Sequence, residues 1–328
     1  MPDSAPLLLV ENLRTSFVSD GQRVTAVDGV DFALARGRTL CIVGESGSGK
    51  SVTALSVMGL IQKPGTVEAA AIRFDGVELT TLAPEAMRAM RGDRLAMIFQ
   101  EPMTSLNPAF TVGDQIAEVL ARHRGLDRVA ARARAIELLR RVRIPFPESR
   151  VDQYPHQLSG GMRQRVMIAM AMACDPLLLI ADEPTTALDV TIQAQILDLM
   201  RALRADSDTA IIMITHDLGV VAEVADDVAV MYAGKIVERA DVAALFGDPQ
   251  HPYTLGLLSS IPPLGQELER LPAIDGTVPS PAHMPKGCRF HPRCVFADAH
   301  CAAEAPPLAE IAPGHAVACW KAPVEHHG

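Results

Sequence analysis

Residues 40–51 read LCIVGESGSGKS: a short apolar run, a glycine-rich stretch, a lysine and a serine. The part from Gly44 onward fits the pattern G-x-x-x-x-G-K-[ST], and the helical pattern SVTALSVMGL begins at Ser51. Glycines in such a loop let backbone N–H groups turn towards phosphate oxygens, and the helix N-terminus adds a favourable dipole. We therefore predict a strand, a phosphate-binding loop and a helix, with Lys50 on the β and γ phosphates and Ser51 on Mg²⁺.

Two further apolar runs end in polar residues. Residues 177–181 read LLLIA before Asp182 and Glu183, and residues 210–214 read AIIMI before a threonine and His216. Open parallel α/β sheets carry their ligand sites at the carboxyl ends of such strands. We predict that Asp182 joins the Mg²⁺ shell and that Glu183 orients a water for attack on the γ-phosphate.

The composition of the chain is that of a folded globular protein. Its 328 residues are 48% hydrophobic and 21% charged, which argues against a wholly disordered, collagen-like or coiled-coil chain. No apolar run approaches the roughly 18 residues that span a bilayer, and the N-terminus lacks the basic start of a secretory signal. A net charge of −9 disfavours a protein whose whole surface binds nucleic acid. We expect a cytoplasmic protein, with Cys41 and Cys174 in its apolar core.

A second glycine-rich sequence, LSGGMRQR at residues 158–165, also precedes a helical pattern. A serine and two glycines at a helix N-terminus form another anion-binding device. Two such devices in one nucleotide-binding domain suggest that one of them acts on the nucleotide of a neighbouring subunit. On these residues the chain resembles the ATP-binding subunits of ABC transporters, whose signature LSGG(Q) it matches except at Met162.

The resemblance implies an α/β fold, with a RecA-like P-loop ATPase core, the antiparallel β and helical subdomains of ABC proteins, and a small cysteine-rich C-terminal module. We place the first part of the core at residues 1–100 and the helical subdomain at 101–158. The second part of the core follows at 159–245, and the C-terminal module at 246–328. Within the helical subdomain, apolar residues recur at helical spacing: Val129, Ala133, Ile136, Leu139 and Val142.

The resemblance also implies roles for individual residues. Gln100 would contact Mg²⁺ or the attacking water, Asp189 would be the D-loop aspartate, and His216 would contact the γ-phosphate. Glu183, His216 and Gln100 then form the catalytic set. Ser51, Gln100 and Asp182 form the Mg²⁺ set. The residues expected to contact ATP are Gly44, Glu45, Ser46, Gly47, Ser48, Gly49, Lys50, Ser51, Val52, Ser159, Gly160, Gly161, Asp189 and, as the adenine-stacking aromatic, Phe17.

Three sequences narrow the resemblance to the D-type ATPase subunits of dipeptide and oligopeptide importers: QEPMTSLNP at 100–108, SGGMRQR at 159–165 and HPYT at 251–254. The resemblance implies an ATPase that powers peptide import at the cytoplasmic face of the membrane. Its partners would be two transmembrane permease subunits, a sister ATP-binding subunit or a second copy, and indirectly an extracellular or periplasmic substrate-binding protein. The alternatives are the ATPase of a nickel importer of the same branch and a soluble ABC ATPase acting on nucleic acid. We expect no nucleic-acid partner.

Four of the six cysteines, Cys288, Cys294, Cys301 and Cys319, lie in the last 41 residues. Cytoplasmic proteins rarely keep disulfides, so four clustered thiols point to a metal. The spacing lacks a C-x2-C pair, which weakens a zinc-ribbon interpretation. The resemblance implies a 4Fe–4S cluster, with zinc as the alternative and free thiols as a third possibility.

Residues 122–150 are strongly basic, with nine arginines against three acidic residues. Three interpretations are open. The arginines form a solvated helix face, they face anionic lipid or acidic loops of the membrane subunit, or they contact nucleic acid.

Overall fold

The computed structural model of the chain describes residues 5–19, 21–100, 105–186, 189–260 and 274–324. Residues 101–104 of the QEPMTSLNP sequence lie outside the described residues. The strands in these ranges are β1 (Leu8–Ser19), β2 (Gln22–Leu34), β3 (Thr39–Val43), β4 (Thr66–Glu68), β5 (Ala71–Phe74), β6 (Val77–Glu78), β7 (Leu95–Ile98), β8 (Leu178–Asp182), β9 (Ala210–Thr215), β10 (Asp227–Tyr232), β11 (Lys235–Asp241), β12 (Ala309–Ala312) and β13 (His315–Val317).

The α-helices of the described residues vary from four to eighteen residues in length. They are α1 (Lys50–Val57), α2 (Pro84–Met90), α3 (Val112–Arg124), α4 (Arg128–Arg141), α5 (Pro147–Arg150), α6 (Gly160–Ala171), α7 (Val190–Ser207), α8 (Leu218–Val224), α9 (Val242–Gly247), α10 (Pro252–Ser259) and α11 (Ala299–Ala303). Among the described residues, no helix combines the length and the apolar character that crossing a bilayer requires.

The chain divides into two compact units. The first comprises Met1–Leu34, Thr39–Thr80 and Thr215–Gly328, and the second comprises Ala35–Arg38 and Thr81–Ile214.

An antiparallel sheet in the first unit is built on β1, which pairs with β2, β4 and β5. β5 pairs in turn with β6. Leu8, Leu13, Phe32 and Phe74 from these strands are buried almost completely. Burial of each such side chain stabilises the fold by about 1.5–3 kcal/mol. This sheet therefore has a core of its own.

The strand that leads to the glycine-rich loop, β3, lies in the same unit and is buried along its whole length. β3 runs parallel to β10, β10 pairs antiparallel with β11, and β11 pairs with β13. Because β13 belongs to residues 274–324, backbone hydrogen bonds attach the cysteine-containing segment to the strands around the loop.

The second unit contains the parallel strands β7, β8 and β9, with Leu95 opposite Leu178 and Leu178 opposite Ala210. The sequence predicted strands at 177–181 and 210–214, and the observed strands agree within one residue. Parallel strands buried on both faces need near-continuous apolar sequence, which explains why these runs were recognisable. Cys41 and Cys174 are buried, as predicted for core residues.

The apolar spacing at residues 129–142 predicted a helix, and α4 covers most of this stretch. Ala131 and Leu138 are buried, whereas Val129 is 80% exposed and Ala133 is exposed. Leu139, another residue of that spacing, is buried. The spacing therefore identified the helix but does not by itself define the buried face, which depends on the elements that pack against it.

Candidate functional site

The backbone of the loop between β3 and α1 can be formed only by glycine at two positions. Gly44 has φ 148° and Gly49 has φ 103°. A Cβ atom at residue 44 would lie 2.1 Å from the carbonyl oxygen of Met231, and one at residue 49 would lie 2.7 Å from that of Ala26. The loop therefore depends on glycine for both its turn and its close approach to other backbone segments.

Lys50, the first residue of α1, points its ammonium group into this loop. Its Nζ donates hydrogen bonds to the carbonyl oxygens of Gly44 at 2.8 Å and Glu45 at 2.9 Å. The side chain is only 5% exposed. A cation held inside a glycine loop at a helix N-terminus matches the requirements of a polyphosphate, which needs both charge and N–H donors.

Glu45, the second residue of the loop, is held by residues far away in the sequence. Its backbone N–H donates to the Tyr253 hydroxyl at 2.7 Å, and its carboxylate accepts two hydrogen bonds from Arg293 at 2.6 and 3.0 Å. Burial raises the pKa of Tyr253, so the hydroxyl stays protonated. In the sequence analysis, the HPYT segment that contains Tyr253 served only as a family marker. No sequence pattern marked Arg293.

In the second unit, Glu183 directly follows the buried end of β8 and has a left-handed backbone with φ 47°. Its carboxylate Oε2 accepts hydrogen bonds from Gln100 Nε2 at 3.0 Å and from the Thr186 hydroxyl at 2.8 Å. A non-glycine residue in this conformation costs about 1–3 kcal/mol and is most common at functional sites. The structure thus brings together two of the three predicted catalytic residues, with the side chain of Asp182 5% exposed beside them.

Two helix N-termini of the second unit carry the other predicted nucleotide contacts. Ser159 caps α6, its hydroxyl accepting a hydrogen bond from the Met162 N–H, and Asp189 caps α7 in the same way through the Ile192 N–H. A Cβ atom on Gly161 would lie 2.9 Å from the Ile192 side chain, so the glycine lets the start of α6 pack on α7. Ser159 and Gly160 are exposed. Their loop is open for contact with another molecule.

His216 and Phe17 belong to the first unit. His216 is exposed and lies between β9 and α8, immediately before Asp217, which caps α8. Phe17 lies on β1 opposite Val24, and its ring packs close to Gly65. Their contacts with the γ-phosphate and with adenine remain predictions.

The four C-terminal cysteines lie near one another in the structure. Burial raises the pKa of Cys288, Cys294 and Cys319, and Cys319 raises the pKa of the other two further. The Cys288 N–H donates to the carbonyl oxygen of Cys301 at 2.8 Å. Within the described ranges, however, no three His, Cys, Asp or Glu side chains form a group that could hold a metal ion.

The basic segment at residues 122–150 is largely neutralised by acidic neighbours. The ion pairs are Arg124–Asp93, Arg132–Asp152, Arg134–Glu137, Arg140–Glu148 and Arg141–Asp175. Such pairing favours the interpretation of a solvated helix face over that of a free cationic surface.

Comparison with known families yields two matches. Residues 27–186 match the family model described as ABC transporter, and residues 237–301 match the one described as the C-terminal region of oligopeptide and dipeptide transporters. The two matched ranges lie on either side of residues 187–236. The second begins in β11 and includes Tyr253, Arg293 and three of the four clustered cysteines.

Relatives with similar sequences match almost the whole chain. A putative peptide import ATP-binding protein of Brucella abortus (strain 2308) is 53% identical over 316 residues, which cover 96% of this chain and 95% of the relative. The oligopeptide transport ATP-binding protein AppD of Bacillus subtilis (strain 168) is 52% identical over 315 residues, covering 96% of each.

Solved structures match about three quarters of the chain. A dimeric post-hydrolysis state of the ATP-binding cassette MJ0796, bound to ADP and Pi, has a TM-score of 0.65 at 26% identity, covering 72% of this chain and 98% of that one. The structure of cbiO1 from Clostridium perfringens, part of the ABC transporter complex cbiONQ, has a TM-score of 0.62 at 27% identity, covering 75% of this chain and 92% of that one.

Proposed function

The chain belongs to the ABC transporter ATP-binding proteins, in the peptide import branch, and we propose that it hydrolyses ATP to power peptide import through membrane permeases. The observation that carries the proposal is the environment of Glu183. Its carboxylate follows the buried end of β8 and is oriented by Gln100 and Thr186, as a base that must accept a proton from water requires.

The residues predicted to contact the nucleotide and Mg²⁺ would supply the remaining parts of an ATP site. Lys50 would neutralise the β and γ phosphates, and the glycine loop would donate backbone N–H groups to them. Ser51 and Asp182 offer the oxygen ligands that Mg²⁺ prefers. Mg²⁺, when bound, neutralises charge on the phosphate oxygens. His216 would contact the γ-phosphate, and Phe17 would stack on adenine.

A second ATP-binding subunit completes the site in this proposal. The Ser159–Gly161 loop is exposed at the start of α6 and presents a helix N-terminus to a neighbouring molecule. In a head-to-tail pair, this loop would contact the nucleotide held by the Lys50 loop of the partner. The MJ0796 cassette bound to ADP and Pi is itself dimeric. We propose a sister ATP-binding subunit as the partner of this chain, with a second copy as the alternative.

The proposed location is the cytoplasmic face of the membrane, where the chain would associate with two transmembrane permease subunits. Peptides would reach those permeases through a substrate-binding protein outside the membrane. This assignment is supported by the relatives named for peptide import and by the match of residues 237–301. Peptide cargo is preferred to nickel because the names of those relatives refer to peptides.

The cysteine cluster is proposed to bind a 4Fe–4S cluster. Burial and neighbouring thiols raise the pKa of Cys288, Cys294 and Cys319, which indicates that the thiols lie near one another. Thiolates of four cysteines are the ligands that such a cluster takes. Anaerobic purification should yield a brown protein that contains iron and sulfide. A colourless protein with stoichiometric zinc would contradict the iron assignment.

The function is tested by reconstituting the chain with its permeases and sister subunit in vesicles and adding the substrate-binding protein. We expect uptake of a labelled peptide that requires ATP and that is lost when Lys50→Ala removes the loop cation. The matched control is the same complex without added peptide, in which ATP hydrolysis should be slower. Nickel uptake without peptide uptake would overturn the cargo assignment.

A further inference from the structure

Every N–H bond of the Arg293 guanidinium has a hydrogen-bond partner. Nε donates to the carbonyl oxygen of Asp275 at 2.8 Å, and Nη2 donates to that of Ile274 at 3.1 Å. Nη1 donates to the Tyr232 hydroxyl at 3.4 Å. The two remaining bonds are the parallel pair to the Glu45 carboxylate, at 2.6 and 3.0 Å. A guanidinium satisfied in this way has one position only.

Aromatic packing fixes the same group from the sides. The guanidinium carbon lies 5.8 Å from the ring centroid of Tyr232 and 5.9 Å from that of Phe290. The side chain of Arg293 is 4% exposed, whereas that of Glu45 is 33% exposed. Because the arginine is buried and the glutamate is not, it is the arginine that sets where the carboxylate lies. A planar fork is needed for this contact, which lysine cannot reproduce.

Glu45 is the only acidic residue of the Gly44–Ser51 loop. Its backbone is already committed, because its carbonyl oxygen accepts hydrogen bonds from Lys50 and from the Ser48 N–H. These bonds fix the Cα atom of Glu45 in the loop, so its carboxylate remains within one side-chain length of the loop. An uncompensated negative charge at this place would repel a polyphosphate.

We propose that Arg293 is a positioning residue of the ATP site: it neutralises the Glu45 carboxylate and fixes it, so that the loop can accept the phosphates. This inference rests on the proposed role of the Gly44–Ser51 loop in ATP binding. It assigns part of the ATP affinity to the C-terminal segment, since Arg293 is 248 positions from Glu45 and directly precedes Cys294.

The test is a charge-removal cycle, measured as the Kd for MgATP by isothermal titration calorimetry on the full chain. We expect Arg293→Gln to raise the Kd by about tenfold, since it leaves one unpaired carboxylate beside the phosphates. Glu45→Gln provides the reference affinity for a loop without that charge. The double variant should bind more tightly than Arg293→Gln and should approach the reference, because no charge is left to repel the nucleotide.

Two controls distinguish a charge effect at Glu45 from loss of the segment's attachment and from failure of the ATP site itself. Arg289→Gln removes a contact of the same segment with Asp28 and Ala233 but leaves the Glu45–Arg293 pair in place, so it should raise the Kd much less than Arg293→Gln does. Lys50→Ala should abolish binding, and binding without Lys50 would refute the proposed function instead. Thermal melting is used to confirm that every variant is folded.

Any of three results would overturn the inference. Arg293→Gln binds MgATP as tightly as the unaltered chain, the double variant binds as weakly as Arg293→Gln, or Arg289→Gln weakens binding as much as Arg293→Gln does. The last two results would mean that the arginine acts only by attaching the segment.

Discussion

The two glycine-rich loops of this chain look alike in sequence but are built in opposite ways. The Gly44–Ser51 loop has left-handed glycines, a buried lysine, and a glutamate held by Tyr253 and Arg293. The Ser159–Gly161 loop has a local serine cap and exposed residues. The first is held by residues far away in the sequence, whereas the serine of the second is hydrogen-bonded within its own helix.

The difference follows from what each loop has to do in the proposed function. A loop that binds a polyphosphate must have several backbone N–H groups arranged before the ligand arrives. Contacts with the surrounding residues keep the loop in that conformation. A loop that meets the nucleotide of a partner must remain accessible. The structure therefore predicts that substitutions near the first loop act on folding and binding together, while those near the second act mainly on assembly.

The largest effect is expected for Glu183→Gln. Without hydrolysis, the first loop of one subunit and the second loop of its partner should stay bound to the same nucleotide. Glutamine can still accept hydrogen bonds from Gln100 and Thr186, but it cannot take a proton from water. We expect kcat for ATP hydrolysis to fall by about 10²–10⁴-fold. MgATP binding should persist, and a closed dimer should accumulate in size-exclusion chromatography with ATP. Turnover near that of the unaltered chain would remove Glu183 from the role of base.

A matched pair of alanine substitutions compares the backbones of the two loops. At Gly49, alanine would combine φ 103° with a contact of 2.7 Å to the Ala26 carbonyl oxygen. We expect a loss of about 2–3 kcal/mol in the free energy of unfolding, measured by urea denaturation. At Gly160, no atom lies within 4 Å of an added Cβ, so alanine should leave the stability unchanged or raise it by up to about 1 kcal/mol. Equal losses in the two variants would contradict the comparison.

The pH dependence of stability tests the buried support of the first loop. His251 caps α10, its Nδ1 accepting a hydrogen bond from the Tyr253 N–H, and burial lowers its pKa from 6.5 to about 3. Between these values the unfolded chain binds a proton that the folded chain does not. The part of the free energy of unfolding that depends on this proton is therefore complete above pH 6.5. It is lost as the pH falls towards 3, at a limiting slope of about 1.4 kcal/mol per pH unit.

The control for this prediction is His251→Asn, which can still cap the helix but does not titrate in this range. The difference in pH slope between the two proteins, measured by urea denaturation from about pH 7 to about pH 4, isolates the histidine. Parallel slopes would show that His251 is protonated in the folded chain.

A small loss of stability is expected for Ser159→Ala, in the second loop. Its hydroxyl accepts one hydrogen bond from the Met162 N–H at 3.4 Å, and nothing else is attached to it in the described structure. Loss of this cap should lower the free energy of unfolding by about 0.5–1 kcal/mol, measured by urea denaturation. A larger loss of stability would mean that the Ser159 hydroxyl does more than cap the start of its own helix.

Many residues of the proposed site could be located from the sequence because their signals are local. A glycine pattern after an apolar run located Lys50 and Ser51, and the polar ends of two further runs located Asp182, Glu183 and His216. The contact of Gln100 with Glu183 agrees with their common assignment to the catalytic set. In each case a few neighbouring residues carry both the structure and the chemistry.

The support of the phosphate loop could not be predicted in this way. Nothing near Glu45 in the sequence indicates a partner 248 positions away, and an arginine next to a cysteine carries no signal as a pattern. The buried face of α4 could not be read from its apolar spacing for a related reason, since burial depends on the neighbouring elements as well as on the apolarity of the helix.

Short stretches of residues are enough to specify the buried strands around the proposed site and the glycine-rich loop after β3, because backbone conformation and hydrophobic patterning are local properties. Which residues support the Gly44–Ser51 loop is determined by the three-dimensional packing instead. A charge such as that of Glu45 can be neutralised by any arginine that the fold brings within hydrogen-bonding distance, and the packing of the C-terminal segment on the first unit makes that choice.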